Sequence, residues 1–122
     1  MAVKRVLVVD DSPTERHAIS EILRRAGFEV NTCDSGEEAL AQAKALLPDL
    51  ILMDVVMPGL NGFQATRVIA RDEATKHIPV IICTTKSQET DKIWGMRQGA
   101  RDYVVKPVVG AELLEKIARL ES

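Results

Sequence analysis

The chain has 122 residues, one domain's worth of sequence. Hydrophobic residues make up 46% and charged residues 28%, the balance of a folded globular domain rather than a disordered one. Sixteen Lys and Arg against eighteen Asp and Glu leave a net charge of -2, which argues against a bulk electrostatic grip on nucleic acid or anionic lipid, and 3% aromatics cannot build a stacking platform for bases.

The elements follow in chain order. Val6 to Val9 is a continuous aliphatic run, as expected of a strand buried on both faces. Ser12-Pro13-Thr14-Glu15 then supplies a cap, a Pro at the first helical position and a Glu three after the cap. Ala18, Ile19, Ile22, Leu23 and Ala26 mark the apolar face of that first helix, and Gly27 stops it. Glu29 to Cys33 predicts a shorter strand. Ser35-Gly36-Glu37-Glu38 repeats the cap signal, and Ala39, Leu40, Ala43, Leu46 and Leu47 form the stripe of a second helix, broken by Pro48-Asp49. Leu50 to Met53 is a third strand, ending at Asp54. After the turn Met57-Pro58-Gly59-Leu60-Asn61-Gly62, a third helix uses Phe63, Val68 and Ile69. Pro79 to Cys83 is a fourth strand, ending at Thr84. Ser87 begins a fourth helix that closes at Gly99. Asp102 to Val105 is a fifth strand, ending at Lys106-Pro107, and a last helix buries Leu113, Leu114, Ile117 and Leu120.

Five strands alternating with five helices imply an α/β fold, a parallel sheet covered on both faces by right-handed crossovers. The longest aliphatic runs are four residues, against about 20 for a spanning helix. The N-terminus has no long apolar region, so no secretory signal and no membrane insertion are expected. Cys33 and Cys83 sit far apart in apolar runs with no zinc spacing. They read as free buried thiols of a cytoplasmic protein. The whole chain, 1–122, is expected to form a single domain with no output domain attached.

The polar residues fall in a pattern. In an open parallel sheet, ligands bind beyond the carboxyl ends of the strands. Strand one ends in Asp10-Asp11, strand three in Asp54, strand four in Thr84 and strand five in Lys106. Strand two delivers only Asp34-Ser35, which a helix cap explains. His17 and His77 fall at no strand end and read as solvated. Singly, each strand-end residue has an ordinary use: Asp10-Asp11 and Asp54 as turn or cap residues, Thr84 as strand filler, Lys106 as a solvated cation. Together at one rim, three carboxylates would repel one another, and a hard divalent cation relieves this. Oxygen-only ligands suit Mg²⁺. With Lys106 supplying an ammonium and Thr84 a hydroxyl, the set fits a phosphoryl group, and Asp54, placed centrally, is the candidate nucleophile.

The motifs Val8-Val9-Asp10-Asp11-Ser12, Leu52 to Gly62, Pro79-Val80-Ile81-Ile82 ending at Thr84, and Gly99 to Pro107 resemble the response-regulator receiver domain, the CheY-like family, over essentially the whole length. The resemblance implies a flavodoxin-like (βα)5 doubly wound sheet of order 2-1-3-4-5. It implies Asp54 as phosphoacceptor and Asp10 and Asp11 as the acidic pair holding Mg²⁺, Asp11 directly and Asp10 through water. It implies the backbone carbonyl of Val56 as the third protein ligand. It also implies Lys106 as the phosphoryl-pairing lysine with a cis bond to Pro107, Thr84 as switch hydroxyl and Tyr103 as switch aromatic. The phosphodonor would be a sensor histidine kinase, and a protein target would read the helix4-strand5-helix5 face. The runs Asn61 to Thr66 and Asp91 to Gly99 look like the single-domain PilH-type receivers of the type IV pilus, twitching-motility chemosensory system. The expected protein is a monomeric, stand-alone phosphorylation switch rather than an enzyme, with no DNA-binding helix-turn-helix attached.

Physically, an added phosphoryl group brings about -2 charge and three acceptor oxygens. Thr84 and Lys106 can meet these oxygens only if the loop after strand four shifts. Val56 and Lys86, at the usual gating positions, are expected to set the phosphate lifetime. Trp94 reads either as cover for the core edge or as a partner anchor. The last helix follows Val108-Val109-Gly110 without an Asp or Ser cap, so its first turn is expected to fray. Three other readings compete. A phosphate sink would accept the group without signalling onward. A haloacid-dehalogenase-type phosphatase needs a second Asp two residues after its nucleophile, where this chain has Val56, and a cap domain that 122 residues cannot hold. A flavin binder needs a glycine- and hydroxyl-rich first loop, where Asp10-Asp11 would repel the phosphate.

Overall fold

Aliphatic runs of strand length become the sheet, and runs of helical period become the helices that cover it. The computed structural model describes residues 2–85 and 89–121. In chain order these hold β1 (Arg5–Val9), α1 (Pro13–Arg25), β2 (Glu29–Cys33), α2 (Gly36–Leu46), β3 (Leu50–Asp54), α3 (Gly62–Arg71), β4 (Val80–Thr85), α4 (Glu89–Gln98), β5 (Asp102–Lys106) and α5 (Gly110–Glu121). All strand pairs are parallel, in the order β2-β1-β3-β4-β5. This is the doubly wound (βα)5 architecture and the 2-1-3-4-5 order expected.

The sheet divides the core into two layers. Leu7, Val9, Ile51, Met53 and Ile82 face one way and pack with Ala39 and Ala43 of α2 and Ala65 and Ile69 of α3. Val6, Val8, Leu50, Leu52 and Ile81 face the other way and pack with Ile19 and Leu23 of α1 and Leu113 and Ile117 of α5. β3 is buried at every position because it lies between β1 and β4 and is covered on both faces. β2, at the sheet edge, buries fully only Cys33.

The helix starts are set by local hydrogen bonds. Ser12 accepts from the Glu15 N–H at 3.3 Å, and Ser35 accepts from the Glu38 N–H at 3.1 Å. The glutamate carboxylates turn elsewhere: Glu15 to Lys106, and Glu38 to the Gln42 amide at 2.8 Å. The full capping box lies at α3 instead. There Asn61 accepts from the Gln64 N–H at 2.9 Å and the Gln64 side chain accepts from the Asn61 N–H at 3.0 Å. The first turn of α5 is closed by the backbone, Leu113 N–H to the Val109 carbonyl at 3.0 Å.

The apolar stripes are narrower than the sequence suggests. Ala18 and Ala26 of the first helical run are exposed. Leu47 takes a left-handed conformation (φ 46°) ahead of Pro48, which turns it out of the α2 stripe and leaves it 51% exposed. Val68 is exposed because the buried line of α3 runs through Ala65 and Ile69, four residues apart, and Val68 lies one residue off it. Leu114 and Leu120 are only half-buried. Lys86 and Ser87, the latter expected to begin the fourth helix, lie outside the described residues. At the foot of the sheet Asp49 accepts from the backbone N–H groups of Lys4 and Arg5 at 2.9 and 3.0 Å, which ties the α2–β3 turn to the start of β1.

Candidate functional site

Strand register brings the site together. Val9 pairs with Met53, so Asp10 and Asp54 stand at neighbouring strand tips. Asp54 pairs with Cys83, which puts Thr84 at the next tip, and Thr85 pairs with Lys106. Asp11, Asp54, Val56, Thr84 and Lys106 line one cleft of about 300 Å³, together with Glu15 from the first turn of α1. One carboxylate oxygen each from Asp10, Asp11 and Asp54 lies within 4.8 Å of the others.

The charge arrangement follows from burial. The Lys106 ammonium donates to Asp54 at 2.7 Å, to Asp10 at 3.0 Å and to Glu15 at 2.5 Å. Asp10 also accepts from the Ser12 N–H at 2.9 Å, and its own carbonyl accepts from the Arg16 guanidinium at 2.8 Å. Burial pushes the Asp54 carboxyl up to about 6, with the Lys106 hydrogen bond opposing and the Asp10 and Asp11 charges adding to the rise. Burial likewise raises Asp10, against its bonds to Ser12 and Lys106. The hydrogen bond from Lys106 holds Glu15, the most solvated of the three partners, below its ordinary value. Burial alone would lower Lys106, but its bonds to Asp54, Glu15 and Asp10 outweigh this and raise it. The Cys83 thiol, in the cleft wall, is pushed up to about 12 by burial, so it is no nucleophile.

The Thr84 hydroxyl is buried and has no hydrogen-bond partner among the described residues. A buried hydroxyl left unpaired costs about 1–3 kcal/mol, so it marks a place where a ligand oxygen would be welcome. Val56 stands 70% exposed at the cleft. Tyr103 is half-buried against the α2–α3 core layer. Two ammonium groups lie over its ring, Lys92 of α4 at 4.8 Å and Lys116 of α5 at 4.2 Å from the centroid. Lys116 also donates to the Tyr103 carbonyl and, at 3.3 Å, to Asp102. The Lys106–Pro107 bond is cis. Trp94 is 53% exposed, with the Arg97 guanidinium 6.0 Å from its ring centroid, and Ile93 and Met96 are exposed beside it in sequence.

Every strand-end residue singled out from the sequence thus lies in or beside one cleft. Sequence reasoning missed Glu15, whose place three after a cap already gave it an ordinary use. It also missed Gly62. A Cβ at Gly62 would run into the Asp54 carbonyl oxygen, so the bare backbone there lets α3 start directly against the strand tip. The oxygens offered by Asp10, Asp11 and Asp54 are a hard, all-carboxylate set, which fits Mg²⁺ better than a metal that prefers imidazole or thiolate.

Residues 6–118 match the model of the response regulator receiver domain. The chain is 55% identical over 113 residues to Protein PilH of Pseudomonas aeruginosa, covering 93% of each chain. Among solved structures it is similar to a putative response regulator from Chloroflexus aurantiacus, with 35% identity, a TM-score of 0.92 and 97% of each chain covered. It is also similar to the receiver domain of a sensor histidine kinase from Pseudomonas aeruginosa, solved with a magnesium ion coordinated in its active-site cleft. That match has 33% identity, a TM-score of 0.88 and 97% of each chain covered. With the five-stranded order and the acidic cleft, these matches identify the chain as a member of the response regulator receiver domain family.

Proposed function

We propose that this chain is a phosphorylation switch in which Asp54 accepts a phosphoryl group from the phosphohistidine of a sensor histidine kinase. The observation that carries this reading is the Lys106 ammonium, 2.7 Å from Asp54 and beside two further acids, in a cleft whose wall holds the unpaired Thr84 hydroxyl. Receiver domains are in general phosphoacceptors that bind Mg²⁺ at an acidic pocket. Here Asp10, Asp11, Asp54 and the Val56 carbonyl would hold that ion. When bound, it supplies the positive charge that lets three carboxylates and a phosphoryl group share one cleft. One Asp54 carboxylate oxygen attacks phosphorus as the P–N bond to the donor imidazole breaks, and the electron pair leaves with the imidazole. Lys106 and Thr84 take phosphoryl oxygens by hydrogen bonds.

Those bonds drive the switch. Thr84 moves toward the new oxygens and vacates space at the α4 side of β4. Tyr103, already packed against that core layer, turns further in. The surface of α4, β5 and α5 changes, and a protein target reads it. Exposed Ile93, Trp94 and Met96 of α4 offer that target apolar anchors. To be mostly one state before and the other after, the phosphoryl contacts must favour the second by about 5 kcal/mol. The 55% identity to PilH, together with the resemblance of the α3 and α4 sequences, supports a place in pilus-based motility signalling. No described helix is long and apolar enough to cross a membrane.

The test is intact-mass measurement after incubation with Mg²⁺ and acetyl phosphate, with Asp54→Asn as control. A gain of one phosphoryl group in the wild type alone is the expected result. No gain, or an equal gain in the variant, would overturn the reading.

A further inference from the structure

Glu15 sits in the cleft without a part in the chemistry above, yet it makes the shortest of the three contacts to Lys106, 2.5 Å. An ammonium has three N–H donors. Those of Lys106 face three carboxylates: Asp54, Asp10 and Glu15. A phosphoryl oxygen arriving on Asp54 needs one of these donors, so one carboxylate must yield. Asp10 is 1% exposed and fixed by the Ser12 N–H, and Asp54 carries the incoming group. Glu15 alone is well solvated, its side chain 43% exposed on the first turn of α1, and it can swing into water at little cost. Until it leaves, its negative charge also stands where an anionic phosphodonor enters.

We propose that Glu15 is a positioning residue, a carboxylate that occupies the phosphoryl place on Lys106 and slows loading of Asp54 until it is displaced. The inference rests on the phosphoacceptor reading of Asp54. It has a signature that a merely structural role lacks. Taking away the Glu15 charge should speed phosphoryl loading, because the donor on Lys106 is free and the entrance less negative. The same change should weaken Mg²⁺ binding, because the neighbouring ammonium is less neutralised and the acidic cluster loses one charge. A packing defect would impair both. The cap of α1 uses the Glu15 backbone N–H and is untouched by the substitution.

The test compares full-length wild type, Glu15→Gln and Glu15→Asp. At saturating Mg²⁺ and low salt, Glu15→Gln should take up phosphate from acetyl phosphate about two- to fivefold faster than wild type, and the difference should shrink as salt rises. Calorimetric titration with Mg²⁺ alone should show its dissociation constant raised about two- to fivefold. Glu15→Asp, which keeps the charge, should retain the wild-type salt dependence. Equal or slower loading by Glu15→Gln at low salt, or unchanged Mg²⁺ affinity, would overturn the proposal while leaving Asp54 as phosphoacceptor. If wild type binds Mg²⁺ but takes up no phosphate, the phosphoacceptor reading fails and this proposal fails with it.

Discussion

Asp49 shows how one carboxylate can tie two distant elements together. The N–H groups of Arg5 and Lys4 hold its carboxyl below its ordinary value. A depressed acid contributes stability that is present above its unfolded value, near pH 4, and is lost as pH falls through the lower folded value. Asp49→Asn keeps an acceptor oxygen but loses the charge. It should be less stable than wild type by about 1 kcal/mol at pH 7 in urea unfolding, and the two curves should converge toward pH 3. An unchanged gap at pH 3 would mean that the charge is not what matters. The same scale shows why some site residues were legible and others were not. Asp10, Asp11, Asp54, Thr84 and Lys106 could be found because each is a polar residue ending an apolar run, and a parallel sheet sends all such ends to one rim. Glu15 could not, since its reach to Lys106 crosses 91 positions of sequence and depends on how α1 lies against β5.

Among the elements, β5 and its two neighbouring helices hold the part of the molecule expected to move. Lys116 of α5 bonds the Tyr103 carbonyl and Asp102 and lies over the Tyr103 ring, so it fastens α5 to β5 and restrains the aromatic at once. Lys116→Met keeps the apolar stem and removes the cation. It should lower stability by about 1 kcal/mol and increase motion of the Tyr103 ring, as read by fluorotyrosine NMR. Ring motion equal to wild type would show that packing alone holds Tyr103. Element type and order were readable because strand runs are continuous and helix stripes periodic. Helix faces were less so. Leu47 leaves its stripe through a left-handed backbone that only the following Pro48 hints at, and Val68 sits one residue off the buried line of α3. The Asn61–Gln64 capping box was hidden inside a stretch dense in turn residues. The order 2-1-3-4-5 came from resemblance, since alternating strands and helices alone allow other orders.

For the molecule as a whole, Mg²⁺ held by the acidic cleft would link folding to ion binding. A ligand that binds only the folded chain adds RT ln(1 + [L]/Kd), about 2.7 kcal/mol at one hundred times Kd. Saturating Mg²⁺ should therefore raise the melting temperature of the wild type by several degrees, and a chelator should reverse it. Asp11 is exposed and makes none of the Lys106 bonds, so Asp11→Ala should melt near the metal-free wild type and lose most of the Mg²⁺ response. A full Mg²⁺ response in that variant would remove Asp11 from the ion site.

The three bonds at the Lys106 nitrogen join residues 52, 91 and 96 positions apart. Each of these contacts closes a loop of 52 residues or more and carries the closure entropy of that loop. A copy in which β5 has not joined the sheet therefore has the acids at the tips of β1 and β3 but lacks the Lys106 ammonium beside them. The pairing of a phosphoryl oxygen with Lys106 would therefore be available only to copies in which β5 is seated beside β4.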